Sequence, residues 1–182
     1  MTFTRMDEST AEQWLEIGAR TAENQGRVAD RLLMLLRSLA EITDGFGTDQ
    51  LTHCLQTATL AEEAGADDEV IFAALLHDVG KAISVPNHPA IAAEMIRPYV
   101  RSEVYEMIRV HQDFQGRHYY AHFGGDPDAR EKHRSALTAE QFDLAAHFAD
   151  DWDQLAFDPA YPTLPLEHFE PLVRRITVSA RM

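Results

Sequence analysis

Residues 51–81 read LTHCLQTATLAEEAGADDEVIFAALLHDVGK, and the fold turns on this stretch. Leu51, Leu55, Ala58 and Ala61 recur at helical spacing and form one apolar stripe, with Gly65 as a stop, so a helix is expected from about Asp49 to Ala64. Asp67, Asp68 and Glu69 then put acidic side chains where the first turn of a following helix leaves its N–H groups unpaired. The run VIFAALL at 70–76 continues that helix and is far too short to span a bilayer. It runs into His77 and Asp78, directly before Gly80. An ionised aspartate beside a histidine at a buried helix end is costly to desolvate unless a cation or hydrogen-bond donors compensate. Read alone, a His-Asp dipeptide is an ordinary helix C-terminus, so its surroundings must carry any further meaning. They do so through His53, which lies on the preceding helix; an antiparallel pair joined near Gly65 brings it beside His77.

Outward from this pair the helical pattern continues. Ser9-Thr10 before Ala-Glu-Gln has the form of an N-cap, and Val28, Leu32, Leu35, Leu36 and Leu39 mark a second helix that ends before Gly45 and Gly47. Further helices are expected over 89–97, 102–115 and 138–155, while the proline-rich stretch 158–171 reads as a packed irregular segment. No period-2 alternation marks a strand, and no repeat or linker marks a boundary. The expectation is one all-α domain over 1–182, a compact helical bundle with an irregular C-terminal segment.

Composition narrows the function. A formal net charge of −14 disfavours a broad phosphate-backbone or anionic-membrane footprint, so neither nucleic acid nor membrane is expected as a partner. Cys54 is the only cysteine, which rules out an intrachain disulfide, and the start MTFTRMDEST lacks the features of a signal or transit peptide. A cytoplasmic setting is expected.

In order, spacing and apolar filling, residues 51–81 resemble the HD superfamily, whose core pattern is a lone histidine, a His-Asp pair about two dozen residues later, and a distant aspartate. His88, in PNHPAIAAEM, and His111, in YEMIRVHQDF, stand where two-metal members of that superfamily carry two more histidines. The resemblance implies that Asp78 bridges two ions, that His53, His77 and the late aspartate complete one site, and that His88 and His111 complete the other. FADDWDQLAF offers Asp150, Asp151 and Asp153 for the late aspartate. On an ideal helix Asp150 and Asp153 share a face and Asp151 is turned away. Asp153 is preferred because WDQLAF resembles the terminal-ligand motif of inositol oxygenase and the hydroxyphosphonate oxygenases; Asp150 is the alternative, since many HD hydrolases place this aspartate after alanine. Four imidazoles and two carboxylates suit Fe, Mn, Zn or Co and suit Ca poorly.

Two divalent ions less two carboxylates leave a positive centre, so a small anionic substrate is expected. Lys81 follows Gly80 and is expected to act at the centre alongside Asp78, either on a substrate anion or as a basic residue complementing a helix C-terminus. The segment QGRHYYAHFGGDPDAREKHR adds Gln115, Arg117, His118 and Arg130 as candidate substrate contacts, with His122 a surface or pocket residue. Trp152, Phe157 and Phe169 read as packing. The resemblance covers roughly residues 45–157 and points to the mixed-valent di-iron oxygenase branch, which consumes O2 and cleaves a C–P or C–C bond of a hydroxylated substrate such as an organophosphonate. The alternative is a phosphohydrolase using Mn, Co or Mg. Members of the oxygenase branch carry a tyrosine iron ligand ahead of the first histidine; ITDGFGTDQLTH at 42–53 has Phe46 and no tyrosine.

Overall fold

A computed structural model of the chain describes residues 3–178 and residue 180. Eight α-helices and several short 3-10 turns make up the described residues, among which there is no strand. The helices are α1 (Ala11–Gln25), α2 (Val28–Ser38), α3 (Gln50–Glu63), α4 (Asp68–Leu76), α5 (His88–Ile96), α6 (Ser102–Gln115), α7 (Ala139–His147) and α8 (Leu166–Ile176). None is long and apolar enough to cross a membrane.

The central hairpin of α3 and α4 forms as its residues dictate. Asp49 caps α3 by accepting from the Thr52 N–H at 2.8 Å. At the other end Gly65 takes φ +77°, which lets the Ala66 N–H reach the Ala61 carbonyl and the Gly65 N–H reach the Glu62 carbonyl, a Schellman closure. Asp67 then caps α4, accepting from the N–H groups of Glu69 and Val70. All of Val70 to Leu76 is buried, because α4 is packed against α3, α5, α6 and α8. A second apolar cluster, with Val110, Phe114, Phe142 and Ala145, joins the end of α6 to α7.

Two expectations fail at the C-terminal end. The segment 158–171 is not irregular throughout: α8 begins at Leu166 and runs through Pro171. An interior proline costs about 3 kcal/mol, but Leu166, Phe169, Leu172 and Val173 are buried together, and at about 1.5–3 kcal/mol each their burial outweighs it. The helix expected over 138–155 is likewise not continuous. After α7 the chain widens into a π-helical turn, Phe148–Trp152, and then tightens into a 3-10 turn, Asp153–Leu155. The inserted residue changes the rotation between successive side chains, so Asp150 and Asp153 do not share a face.

Helix α5 starts one residue earlier than expected, making His88 its first residue rather than part of the preceding loop. Its start lies directly on Gly80. A Cβ on Gly80 would run into the His88 carbonyl oxygen and come within 2.8 Å of the His88 Cα. Glycine therefore lets the turn after His77 and Asp78 pack onto the base of α5. Gly80→Ala is expected to cost about 1–3 kcal/mol, since backbone rather than a flexible side chain must move, and to displace His88. Thermal unfolding should show the loss, whereas an unchanged melting temperature would contradict the packing described.

Candidate metal centre

Four histidines from four helical segments converge. His53 comes from α3, His77 caps α4, His88 opens α5 and His111 lies near the end of α6; all four are buried. Each ring is held by its Nδ1. His53 Nδ1 lies 2.9 Å from the Ala156 carbonyl oxygen, and those of His77, His88 and His111 lie 2.8 Å from the carbonyl oxygens of Ala74, Val85 and Ile108. A carbonyl only accepts, so every Nδ1 carries a proton and donates it, and a neutral ring then holds its lone pair on Nε2. Three of these contacts reach back three residues along the chain, so helical geometry itself orients the rings.

The four Nε2 atoms point at one another and at two carboxylates. His53 Nε2 is 3.0 Å from His77 Nε2 and 3.1 Å from Asp153 Oδ1. His77 Nε2 is 3.4 Å from both Asp153 Oδ1 and Asp78 Oδ2. On the far side of the same carboxylate, Asp78 Oδ1 lies 3.0 Å from His88 Nε2 and 3.5 Å from His111 Nε2, and those two nitrogens are 3.3 Å apart. Asp78 thus divides its oxygens between two clusters, Oδ2 toward His53 and His77, Oδ1 toward His88 and His111.

Lone pairs on neutral rings facing each other at such distances repel unless a proton or a metal ion stands among them. Two buried carboxylate oxygens, Asp78 Oδ1 and Asp153 Oδ2, have no hydrogen-bond donor, a costly state for a charged group away from water. Orphaned acceptors, converging imidazoles and a mixed nitrogen and oxygen donor set fit metal ions. His53, His77 and Asp153 can surround one cation, and His77, Asp78 and His111 also come close enough to do so.

Charge follows the same pattern. Burial pushes the His77 pKa down, but the charges of Asp78 and Asp153 outweigh it and hold it up at about 10. Burial raises Asp78 and Asp153 as well, yet the facing histidines hold both below the ordinary carboxylate range. His111 is driven down by burial, which its contact with Asp78 only partly offsets. Without metal, His77 therefore keeps a proton at neutral pH, and that proton must leave before Nε2 can ligate. Metal loading at neutral pH is expected to release about one proton, with affinity rising as pH climbs toward the His77 value. Calorimetric titration in buffers of different ionisation heat measures this; a binding heat independent of buffer would contradict it.

Around the cluster, Lys81 Nζ sits 2.6 Å from Asp78 Oδ2 and donates to Gln50 Oε1 at 2.9 Å. Burial lowers its pKa, but the Asp78 charge outweighs that and keeps it a cation. Gln115 donates from Nε2 to Asp153 Oδ1 at 2.9 Å, fixing that carboxylate. A cavity of about 510 Å³ opens onto the centre, with Lys81, His88, Gln115 and His118 along its wall.

Asp153, the preferred late aspartate, stands in the cluster, while its alternative and two expected substrate contacts lie elsewhere. Asp150, the alternative late aspartate, lies outside the histidine cluster, bound by Arg130 through Nη1 and Nη2 at 2.9 and 2.8 Å and by His118 at 2.8 Å. Arg130 is buried and does not line the cavity; its guanidinium is engaged by Asp150 and the Phe114 carbonyl. Arg117 is exposed, 3.9 Å from Asp150, and also absent from the wall. The π-helical turn separates the two aspartates: it turns Asp153 inward and Asp150 outward.

Phe157 is more than packing. It stacks on the His53 ring at 4.1 Å and on Phe46 at 4.8 Å, and Phe46 and Phe157 line the cavity. Gly47 permits this, since a Cβ there would meet the Phe157 carbonyl oxygen at 2.8 Å. Gln112, Tyr119 and Gln154 also line the cavity, and no pattern in the sequence marks them.

The HD-domain family model matches residues 51–158, more than half of the chain and the span that holds every residue of the cluster. No curated protein matches the chain.

Proposed function

The chain belongs to the HD-domain family, and from that premise we propose a dinuclear iron oxygenase that uses O2 to cleave the C–P bond of a small hydroxylated organophosphonate. His53, His77, Asp78 and Asp153 would hold one ion and Asp78, His88 and His111 the other. The observation that carries the two-metal reading is the division of the Asp78 carboxylate between two histidine pairs. Two iron ions in mixed valence would supply Lewis acidity toward the substrate oxygens and the electrons that O2 activation requires.

The protein's own groups have separate tasks. Lys81 lies on the cavity wall beside Asp78, where its ammonium can neutralise phosphonate charge. Gln115 holds Asp153 in orientation, and the carbonyls of Ala156, Ala74, Val85 and Ile108 hold the four rings. Phe46, Phe157 and Val85 give the cavity an apolar side that excludes water from a bound substrate. The choice of the oxygenase branch rests on the filled His88 and His111 positions and on Trp152-Asp153-Gln154.

A second reading, phosphoester hydrolysis with Mn, Co or Mg, is favoured by Phe46, which stands on the cavity wall in the segment where the oxygenase branch carries tyrosine. The test is phosphate release from a panel of hydroxyphosphonates and phosphomonoesters, each with and without oxygen. The oxygenase predicts O2-dependent release from hydroxyphosphonates. Equally fast release without O2, from esters alone, would leave the hydrolase standing.

A further inference from the structure

His118 and Asp150 form an oriented pair outside the metal cluster. Helix α6 ends at Gln115 and passes into a 3-10 turn, Gly116–His118, where a Cβ on Gly116 would meet the Tyr120 ring at 2.5 Å. His118 follows in that turn, on the cavity wall and about one-third exposed. Its Nε2 is 2.8 Å from Asp150 Oδ1. A carboxylate accepts, so Nε2 bears the proton and the lone pair of the neutral ring is on Nδ1. Nδ1 has no partner among the described residues.

Asp150 is in turn fixed from behind. Arg130, almost fully buried, grips both of its oxygens and also donates to the Phe114 carbonyl. These bonds lower the Asp150 pKa more than its partial burial raises it, so the carboxylate stays charged. A base ring whose second nitrogen is held by a clamped carboxylate is the arrangement general acid-base catalysis requires. The titratable and charged groups near the ring are Asp150, Arg130 and Arg117 on its own side and Lys81, His88 and Asp44 on the cavity wall it shares.

We propose that His118, oriented by Asp150 and Arg130, is the proton acceptor for the hydroxyl group of the bound substrate. The inference rests on the oxygenase reading for the identity of that hydroxyl. In the step, the substrate O–H bond breaks, its electron pair stays on oxygen, and the proton forms an Nδ1–H bond. The imidazolium charge is balanced by Asp150 through the Nε2–H. When product leaves, the exposed edge of His118 returns the proton to water. Asp150 and Arg130 are positioning residues.

Selective 15N labelling of histidine in the zinc-loaded chain tests the device, with His118→Gln identifying the signal. The expected result is a ring protonated on Nε2 and bare on Nδ1, whose preference for that tautomer weakens in Asp150→Asn as the accepting carboxylate charge is lost. In the iron-loaded enzyme with hydroxymethylphosphonate, His118→Gln is expected to lower kcat about 100-fold and to remove the acidic limb of the kcat profile, with metal content and KM near the parent's. A ring protonated on Nδ1, or a His118→Gln enzyme with the parent's kcat and pH profile, would overturn the proposal. Two bound ions with the wrong His118 tautomer would sink this proposal alone; a correct tautomer in a chain that takes up only a single ion would sink the reading of the centre alone.

Discussion

Replacing Asp78 by alanine is expected to strip both ions from the protein and to reduce turnover to background. Its two oxygens face different histidine pairs, His53 with His77 and His88 with His111, so one substitution removes a ligand from each site. Losing an outer-shell partner of a metal ligand typically costs 10–100-fold in affinity, and losing a shared ligand must cost more. The same change withdraws the charge that holds Lys81 and His77 as cations. Breaking a buried pair of this kind costs about 3–5 kcal/mol, so the variant should also melt earlier. Asp78→Asn keeps the shape and discards the charge, and it should lose metal with a smaller structural penalty. Metal analysis with thermal unfolding checks both; a fully metallated, active Asp78→Ala protein would sink the assignment.

His111→Ala is expected to leave about one ion per chain while abolishing chemistry that needs two. Its Nε2 faces Asp78 Oδ1 and His88, on the opposite side of the carboxylate from the cluster of His53, His77 and Asp153. That cluster keeps its three residues, and Asp78 Oδ2 still faces it. Because His111 is buried and touches the Phe148 ring edge-on, its removal leaves a cavity, and His88→Ala supplies an independent variant at the mouth of the centre. Both should bind one ion and turn over no substrate. Two ions in either variant would remove that histidine from the ligand set.

Much of this centre could be read from the chain because its parts obey local rules. The pair α3 and α4 follows from an apolar stripe, two aspartate caps and Gly65, and those elements suffice to bring His53 to His77. The family and the all-α architecture were legible for the same reason. The late aspartate was harder: counting along an ideal helix puts Asp150 and Asp153 on one face, and only the π-helical turn separates them. No composition signal marks that turn, which is held by tertiary contacts such as the grip of Arg130 on Asp150. Helix α8 was hidden because Pro165 and Pro171 read as breakers, while the burial that overrides them depends on partners distant in sequence. Phe157 eluded the sequence reading because its stacking on His53 joins segments about a hundred residues apart, through contacts no local period encodes.

The two-ion centre itself is tested most directly by titrating the metal-free protein with ferrous iron under anaerobic conditions and counting bound ions. Saturation at two ions per chain, falling to one in His111→Ala and to none in Asp78→Ala, is the expected result. Saturation at a single ion in the parent protein, unchanged by His111→Ala, would contradict the division of Asp78 between two sites.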